Sequence, residues 1–339
     1  MNKSNLFALA IATVAACSSK PAAEPAAPPV ATSQPPAGAQ VQTVTFHSDA
    51  LGVDKDFVLY LPASYASSTK RYPVFYYLHG LGGDEQNWVK HAHLDEAANR
   101  LGLQAIVVMP DGDNSFYIDS AAPADYDACM KDGTGLMDPT APKDKTCVRA
   151  NKYETYITKD LVGYVDAHYR TIASREGRAI AGLSMGGFGA LELAAGHPDE
   201  FAATASHSGV DSLFYHLPHP YDASKVQLFT DVATWGEEAG AIGAWIRSRF
   251  GTDRAMWDAH DPATLLPKLG PGKLAIYLDC GTEDDFGLDA GASYLHDKLV
   301  AAKIDHEFFL GPGRHAMAFW TARVPNSLTF LRDHTTAAK

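Results

Sequence analysis

Residues 179–187 read Ala-Ile-Ala-Gly-Leu-Ser-Met-Gly-Gly, and a helix-like stretch follows through Ala195. Three apolar residues lead into Gly182-x-Ser184-x-Gly186, so the pattern predicts a strand that turns sharply into a helix with a serine at the turn. Such a turn lifts the Ser184 hydroxyl above the end of a sheet. The flanking glycines leave room for a crowded backbone, and the helix N-terminus offers N–H groups and the positive end of its dipole where a negative oxygen would form. Gly-x-Ser-x-Gly alone also describes a tight turn with a capping serine. Its setting between strand and helix favours the nucleophile.

Outward from this turn, strand-like runs occur at Phe57–Leu61, Val74–Leu78, Ala105–Met109, Ala179–Leu183, Ala202–Ser206, Leu274–Leu278 and Glu307–Leu310. Helix-like segments lie at Leu94–Leu101, Glu154–Tyr169, Gly187–Ala195 and Ser293–Lys303, with a C-terminal helix from about Phe319. The alternation predicts an α/β chain: an α/β-hydrolase fold with a mainly parallel central sheet and helices on both faces. The first two of these strands lie close in sequence and are expected to make an antiparallel edge. Two stretches break the rhythm, Asp111–Asn151 and Val210–Asp261, and are expected as insertions over the active-site end.

Upstream, Pro73-Val74-Phe75-Tyr76-Tyr77-Leu78 runs into His79-Gly80-Leu81-Gly82-Gly83. A strand followed by this loop predicts a second oxyanion donor, so the backbone N–H groups of Leu81 and Met185 are the expected pair. His79 is read as a brace for the loop. The order nucleophile, acid, histidine restricts the base to residues after Ser184. Among the downstream histidines, His315 follows the last expected strand through the turn Gly311-Pro312-Gly313-Arg314. The penultimate strand leads into Asp279-Cys280-Gly281-Thr282-Glu283-Asp284-Asp285. Asp284 is the first choice for the acid that would orient His315, with Asp285 and Asp279 as alternatives.

The N-terminus begins Met-Asn-Lys and continues with an apolar run from Leu6 to Ala16, broken only by Thr13. Too short to span a bilayer, this run reads as an export signal, and Val14-Ala15-Ala16-Cys17 has the pattern of a bacterial lipobox with Cys17 as the lipidated residue. The alternative is an ordinary secretory peptide cleaved near Ala16. Residues 1–17 are thus expected to be signal, 18–40 an Ala/Pro-rich linker and 41–339 the catalytic domain. The expected location is the outer membrane or periplasm as a lipoprotein, otherwise the medium as a secreted protein. Membrane contact is expected only through the lipid anchor. In an oxidising compartment Cys129 and Cys147 are expected to pair, leaving Cys280 a buried thiol.

The 339 residues, 46% of them hydrophobic, suffice for one enzyme-sized domain. A formal charge of −12, with no run of Lys or Arg, argues against a nucleic-acid partner. Asp111-Gly112-Asp113-Asn114-Ser115 lacks the later glutamate of a calcium loop, and His91 and His93 are spaced badly for one helical face. No metal or cofactor is therefore expected.

With these residues in hand, the chain resembles the esterase family that includes esterase D, S-formylglutathione hydrolase, the feruloyl and acetyl-xylan esterases of carbohydrate esterase family 1, and the antigen 85 mycolyltransferases. The marks are Leu61-Pro62 with Tyr65, Tyr72-Pro73 through His79-Gly80 and Gly82-Gly83 to Trp88, Gly182 to Gly187, Gly281-Thr282-Glu283-Asp284, and His315 with Trp320. The resemblance implies Ser184 as nucleophile, Asp284 as acid, His315 as base, an acyl-enzyme and no cofactor. Met317, where many carbohydrate esterases carry an aromatic residue, and the long Asp111–Asn151 stretch depart from the pattern. The expected substrate is a small-molecule or carbohydrate ester. Acyl transfer to a carbohydrate or lipid alcohol is the alternative within the same chemistry. An anchored binding protein on an inactive hydrolase scaffold is the alternative of another class, and would be expected to lack a triad member.

Overall fold

The computed structural model describes residues 38–133, 142–237 and 240–339. The stretch expected to be an export signal, Cys17 and most of the expected linker lie outside them. The main sheet has eight strands: β1 (Gln40–Ser48), β2 (Val53–Leu61), β3 (Val74–Leu78), β4 (Ile106–Pro110), β5 (Arg178–Leu183), β6 (Ala203–His207), β9 (Ala275–Gly281) and β10 (Glu307–Gly311), and a separate short ribbon pairs β7 (Tyr215–Leu217) with β8 (Gln227–Leu228). The order across the sheet is β1-β2-β4-β3-β5-β6-β9-β10. From β4 through β10 the strands are parallel. β2 is antiparallel to both β1 and β4.

This corrects one expectation. Phe57–Leu61 belongs to the antiparallel edge, but its partner is β1, and Val74–Leu78 lies in the parallel interior between β4 and β5. The reason is in the side chains. Val74-Phe75-Tyr76-Tyr77-Leu78 is buried throughout, as a strand covered on both faces must be. Gln40–Ser48 is mostly exposed, and its alternating polar residues hide a strand that occupies the sheet's edge.

Side-chain alternation along the interior strands feeds two cores. Tyr76, Leu78 and Ile180 join Phe188, Leu191 and Leu295 on one face. Phe75, Tyr77 and Leu183 join Trp88, Trp320 and Leu328 on the other. The first face is covered by the helical run from Tyr153 to His168 and by helices Met185–Gly196 and Leu288–Ala301; the second by Leu94–Arg100 and Met317–Asp333. Among the described residues no helix is long and apolar enough to cross a membrane.

Both insertions leave the sheet at carboxyl ends of parallel strands, the first just after β4 and the second after β6. Cys129 and Cys147 are bonded, joining helices Tyr126–Asp132 and Lys143–Thr146 of the first insertion. The insertions also meet each other: Ala121 N–H donates to the Arg249 carbonyl at 3.0 Å, and Trp245 Nε1 donates to the Asn114 carbonyl at 3.1 Å. Asn114 Oδ1 in turn accepts from Gly82 N–H at 2.7 Å, which ties them to the loop after β3.

Candidate active site

Ser184 sits between the end of β5 and the helix Met185–Gly196 with φ 54° and ψ −117°. A non-glycine residue there costs of order 1–3 kcal/mol and is held only by its surroundings. Its N–H donates to the His207 carbonyl of β6 at 2.9 Å, and its carbonyl accepts from Phe188 N–H at 3.0 Å. The turn also needs Gly186, where a Cβ would come within 2.3 Å of the Leu78 carbonyl oxygen. No side chain fits that approach.

The strand ends bring three sequence-distant side chains into line. His315 Nε2 lies 2.9 Å from Ser184 Oγ, and His315 Nδ1 lies 2.7 Å from Asp284 Oδ2. Asp284 is buried, and its Oδ1 accepts from the N–H groups of Phe286 at 3.0 Å and Leu288 at 3.3 Å. The Cys280 thiol, buried and free, donates toward Asp284 Oδ2 at 3.7 Å. Burial, with the Asp284 charge beside it, pushes that thiol far up, so it stays a donor. A hydroxyl bonded in this way can pass its proton to the imidazole as it attacks a carbonyl, while the carboxylate fixes the ring and stabilises the imidazolium.

The two alternative acids lie elsewhere. Asp279 is buried beneath the sheet end, 2.9 Å from His207 Nδ1 and 3.1 Å from Arg323 Nε. Asp285 points to the surface and pairs with Arg314.

Of the expected oxyanion donors, Met185 follows Ser184 directly and Leu81 lies in the loop after β3. Met185 is the first residue of its helix, so its N–H has no carbonyl one turn back to bond. The loop carrying Leu81 presses on the turn: a Cβ on Gly80 would lie 3.3 Å from Ser184 Cβ. His79 braces that loop as expected. It is buried, with Nδ1 2.8 Å from the Gly80 carbonyl and Nε2 accepting from Gly112 N–H at 2.9 Å. Asp111 and Asp113, weighed above as part of a calcium loop, instead take the buried Lys55 ammonium at 2.5 and 2.9 Å.

Beside the Gly82–Gly83 turn lies a cleft of about 610 Å³ whose walls include Asn114, Tyr153, Trp245 and Arg249. Ser184 and His315 do not line it. It is lined by residues of both insertions together with the loop after β3.

Sequence reasoning missed Phe286 and Ser208. The Phe286 ring, 63% exposed, meets the His315 ring edge-on at 4.9 Å. Ser208, with φ 46°, accepts from Trp320 Nε1 at 3.2 Å. An aromatic residue immediately after an acidic loop was the available signal for Phe286; nothing local marked Ser208.

Over residues 48–331 the sequence matches the family described as "Putative esterase". Esterase Rv1288 of Mycobacterium tuberculosis strain H37Rv is 28% identical over 284 residues, covering 80% of this chain and 54% of the relative. The chain thus spans about half the length of that relative. S-formylglutathione hydrolase of Bos taurus is 30% identical over 286 residues, covering 82% of this chain and 86% of the relative. Among solved structures, a ferulic acid esterase superposes with a TM-score of 0.58 at 23% identity, covering 87% of this chain and 98% of that one. That likeness shows the fold.

Proposed function

Because the chain belongs to this esterase family, we propose that it is a serine carboxylesterase acting on a small acyl ester, with a carbohydrate-linked acetyl or feruloyl group as the favoured substrate class. Ser184 is the nucleophile, His315 the base and Asp284 the acid. The observation that carries the reading is the continuous line of hydrogen bonds from Ser184 Oγ through His315 to Asp284, at 2.9 and 2.7 Å, built on a strained serine at the strand end.

In the proposed reaction Ser184 Oγ attacks the ester carbonyl as His315 Nε2 takes its proton. The N–H groups of Leu81 and Met185 hold the oxyanion. Removing one such donor typically costs on the order of a hundred- to a thousandfold in rate. The imidazolium then protonates the departing alcohol, leaving an acyl-enzyme, and water activated by the same histidine releases the acid. The protein is further proposed to work outside the cytoplasm, held by a lipid on Cys17; Cys17→Ala should move it from the membrane fraction to the soluble one.

The test is hydrolysis of p-nitrophenyl acetate through palmitate and of methyl ferulate, beside Ser184→Ala. Turnover lost in the variant supports the assignment, and the chain-length profile sizes the acyl pocket. A folded protein that turns over none of these esters would overturn it. Ester formation when a sugar alcohol is added, outrunning hydrolysis, would make the protein an acyltransferase with the same triad.

A further inference from the structure

Away from the triad, Glu154, Glu192 and His260 each bring one donor atom to a single point, all within 4.8 Å of one another. They come from three elements. Glu154 opens the helical run from Tyr153 to His168, Glu192 lies on the helix that starts at Met185, and His260 ends the helix Arg254–His260 of the second insertion. His260 Nδ1 is 2.6 Å from Glu192 Oε1, and His197 Nε2 is 2.7 Å from Glu154 Oε1.

Hydrogen bonds within the group do not satisfy it. Glu192 is 98% buried, being 2% exposed, yet its Oε2 has no hydrogen-bond partner. Among the described residues the ion-pair partners of these two carboxylates at close range are the histidines. A buried carboxylate oxygen left without a partner is an expensive arrangement, and Glu192 Oε2 lies beside the point where the three donor atoms converge.

We infer that Glu154, Glu192 and His260 bind a divalent transition-metal ion, zinc being the ion that best fits one imidazole and two carboxylates. The two carboxylates neutralise its charge, and Glu192 Oε2 gains the partner it lacks. Zinc holds such donors at about 2.0–2.2 Å in a tetrahedral array, so they stand about 3.4 Å apart; the side chains, now within 4.8 Å of one another, draw in to close the shell. The ion takes the place of the proton between His260 Nδ1 and Glu192, binding both carboxylate oxygens of Glu192, and the imidazole proton then sits on Nε2. His197 holds Glu154 from outside the shell. The side chains of His197 and Glu154, 23% and 25% exposed, give the ion its entry.

The role is structural. Glu192 lies eight residues after Ser184, about 12 Å along the axis at 1.5 Å per residue, so the ion would touch no reacting atom. It would instead pin the helix that begins beside Ser184 to the helical run that follows the first insertion and to the second insertion.

The experiment uses the full-length, untagged protein, freed of metal by chelator and titrated with zinc chloride by calorimetry and thermal unfolding. One zinc per chain, with a rise in Tm, is expected. Glu192→Gln and, separately, the more exposed Glu154→Gln should each weaken zinc binding by about a hundredfold or more and abolish the rise in Tm, while p-nitrophenyl acetate hydrolysis at saturating substrate persists. If Glu192→Gln fails to fold, Glu154→Gln decides. Absence of zinc binding by the folded wild type, or equal binding by wild type and a folded variant, overturns the inference.

Discussion

Trp320 stands edge-on to His315, ring centroids 4.9 Å apart and planes at 90°, and its Nε1 donates to Ser208 Oγ at 3.2 Å. Phe286 meets the same imidazole edge-on from its own loop. The ring is thus fixed by packing as well as by its bond to Asp284. Because displacement of about 1 Å can cost as much as 10²-fold in rate, Trp320→Leu should lower kcat by about ten- to a hundredfold with little change in KM. Trp320→Phe keeps the edge contact and loses only the bond to Ser208, so its kcat should fall less than about tenfold. Steady-state kinetics on p-nitrophenyl acetate separates the two; a rise in KM alone would assign Trp320 to substrate binding.

The three candidate acids can be told apart by neutral amides. Asp284→Asn should cost about 10⁴ in kcat, since an amide favours the wrong histidine tautomer. Asp285→Asn removes only an exposed pair with Arg314 and should leave kcat within a few-fold. Near-wild-type turnover by Asp284→Asn would transfer the role elsewhere.

Stability should carry the signature of a second buried acid. Burial pushes the Asp211 carboxyl up to about 7, with a hydrogen bond from Ser206 opposing the rise and Asp279 and Asp284 adding to it. Between about pH 4 and 7 the folded chain then holds a proton that the unfolded chain has released, so this group's contribution to stability falls as pH rises, by up to about 1.4 kcal/mol per unit. Asp211→Asn cannot ionise and should lose that slope, becoming the more stable protein above pH 7. Urea unfolding of both at pH 5 and pH 8 is the check; parallel pH dependence would rule the mechanism out.

The Cys129–Cys147 bond closes a separation of 18 residues. Loop-closure entropy for that length is worth about 3 kcal/mol. Replacing both cysteines by serine should lower Tm accordingly, and reductant should lower the wild-type Tm without moving that of the double variant.

What the sequence determined was local and ordered along the chain. Residues 179–187 specified a strand, a turn and a helix because apolar run, glycine spacing and helical pattern agree within one short window. His315 and the loop from His79 to Gly83 were legible because each follows a strand whose hydrophobic run marks its own end. The acidic run from Asp279 to Asp285 narrowed the acid to three residues but left the choice to spacing and resemblance, because alternate residues of a strand face opposite sides and the loop beyond it has no period.

Tertiary structure decided what depends on neighbours distant in sequence. It turned Asp279 toward His207 and Asp284 toward His315, put β1 at the edge and Val74–Leu78 in the interior, and set Phe286 and Trp320 on two sides of one imidazole. It also gathered Glu154, Glu192 and His260 from three separate elements. No local pattern encodes such meetings, since the energies that select them, burial and pairing across the fold, exist only once the sheet has brought the segments together.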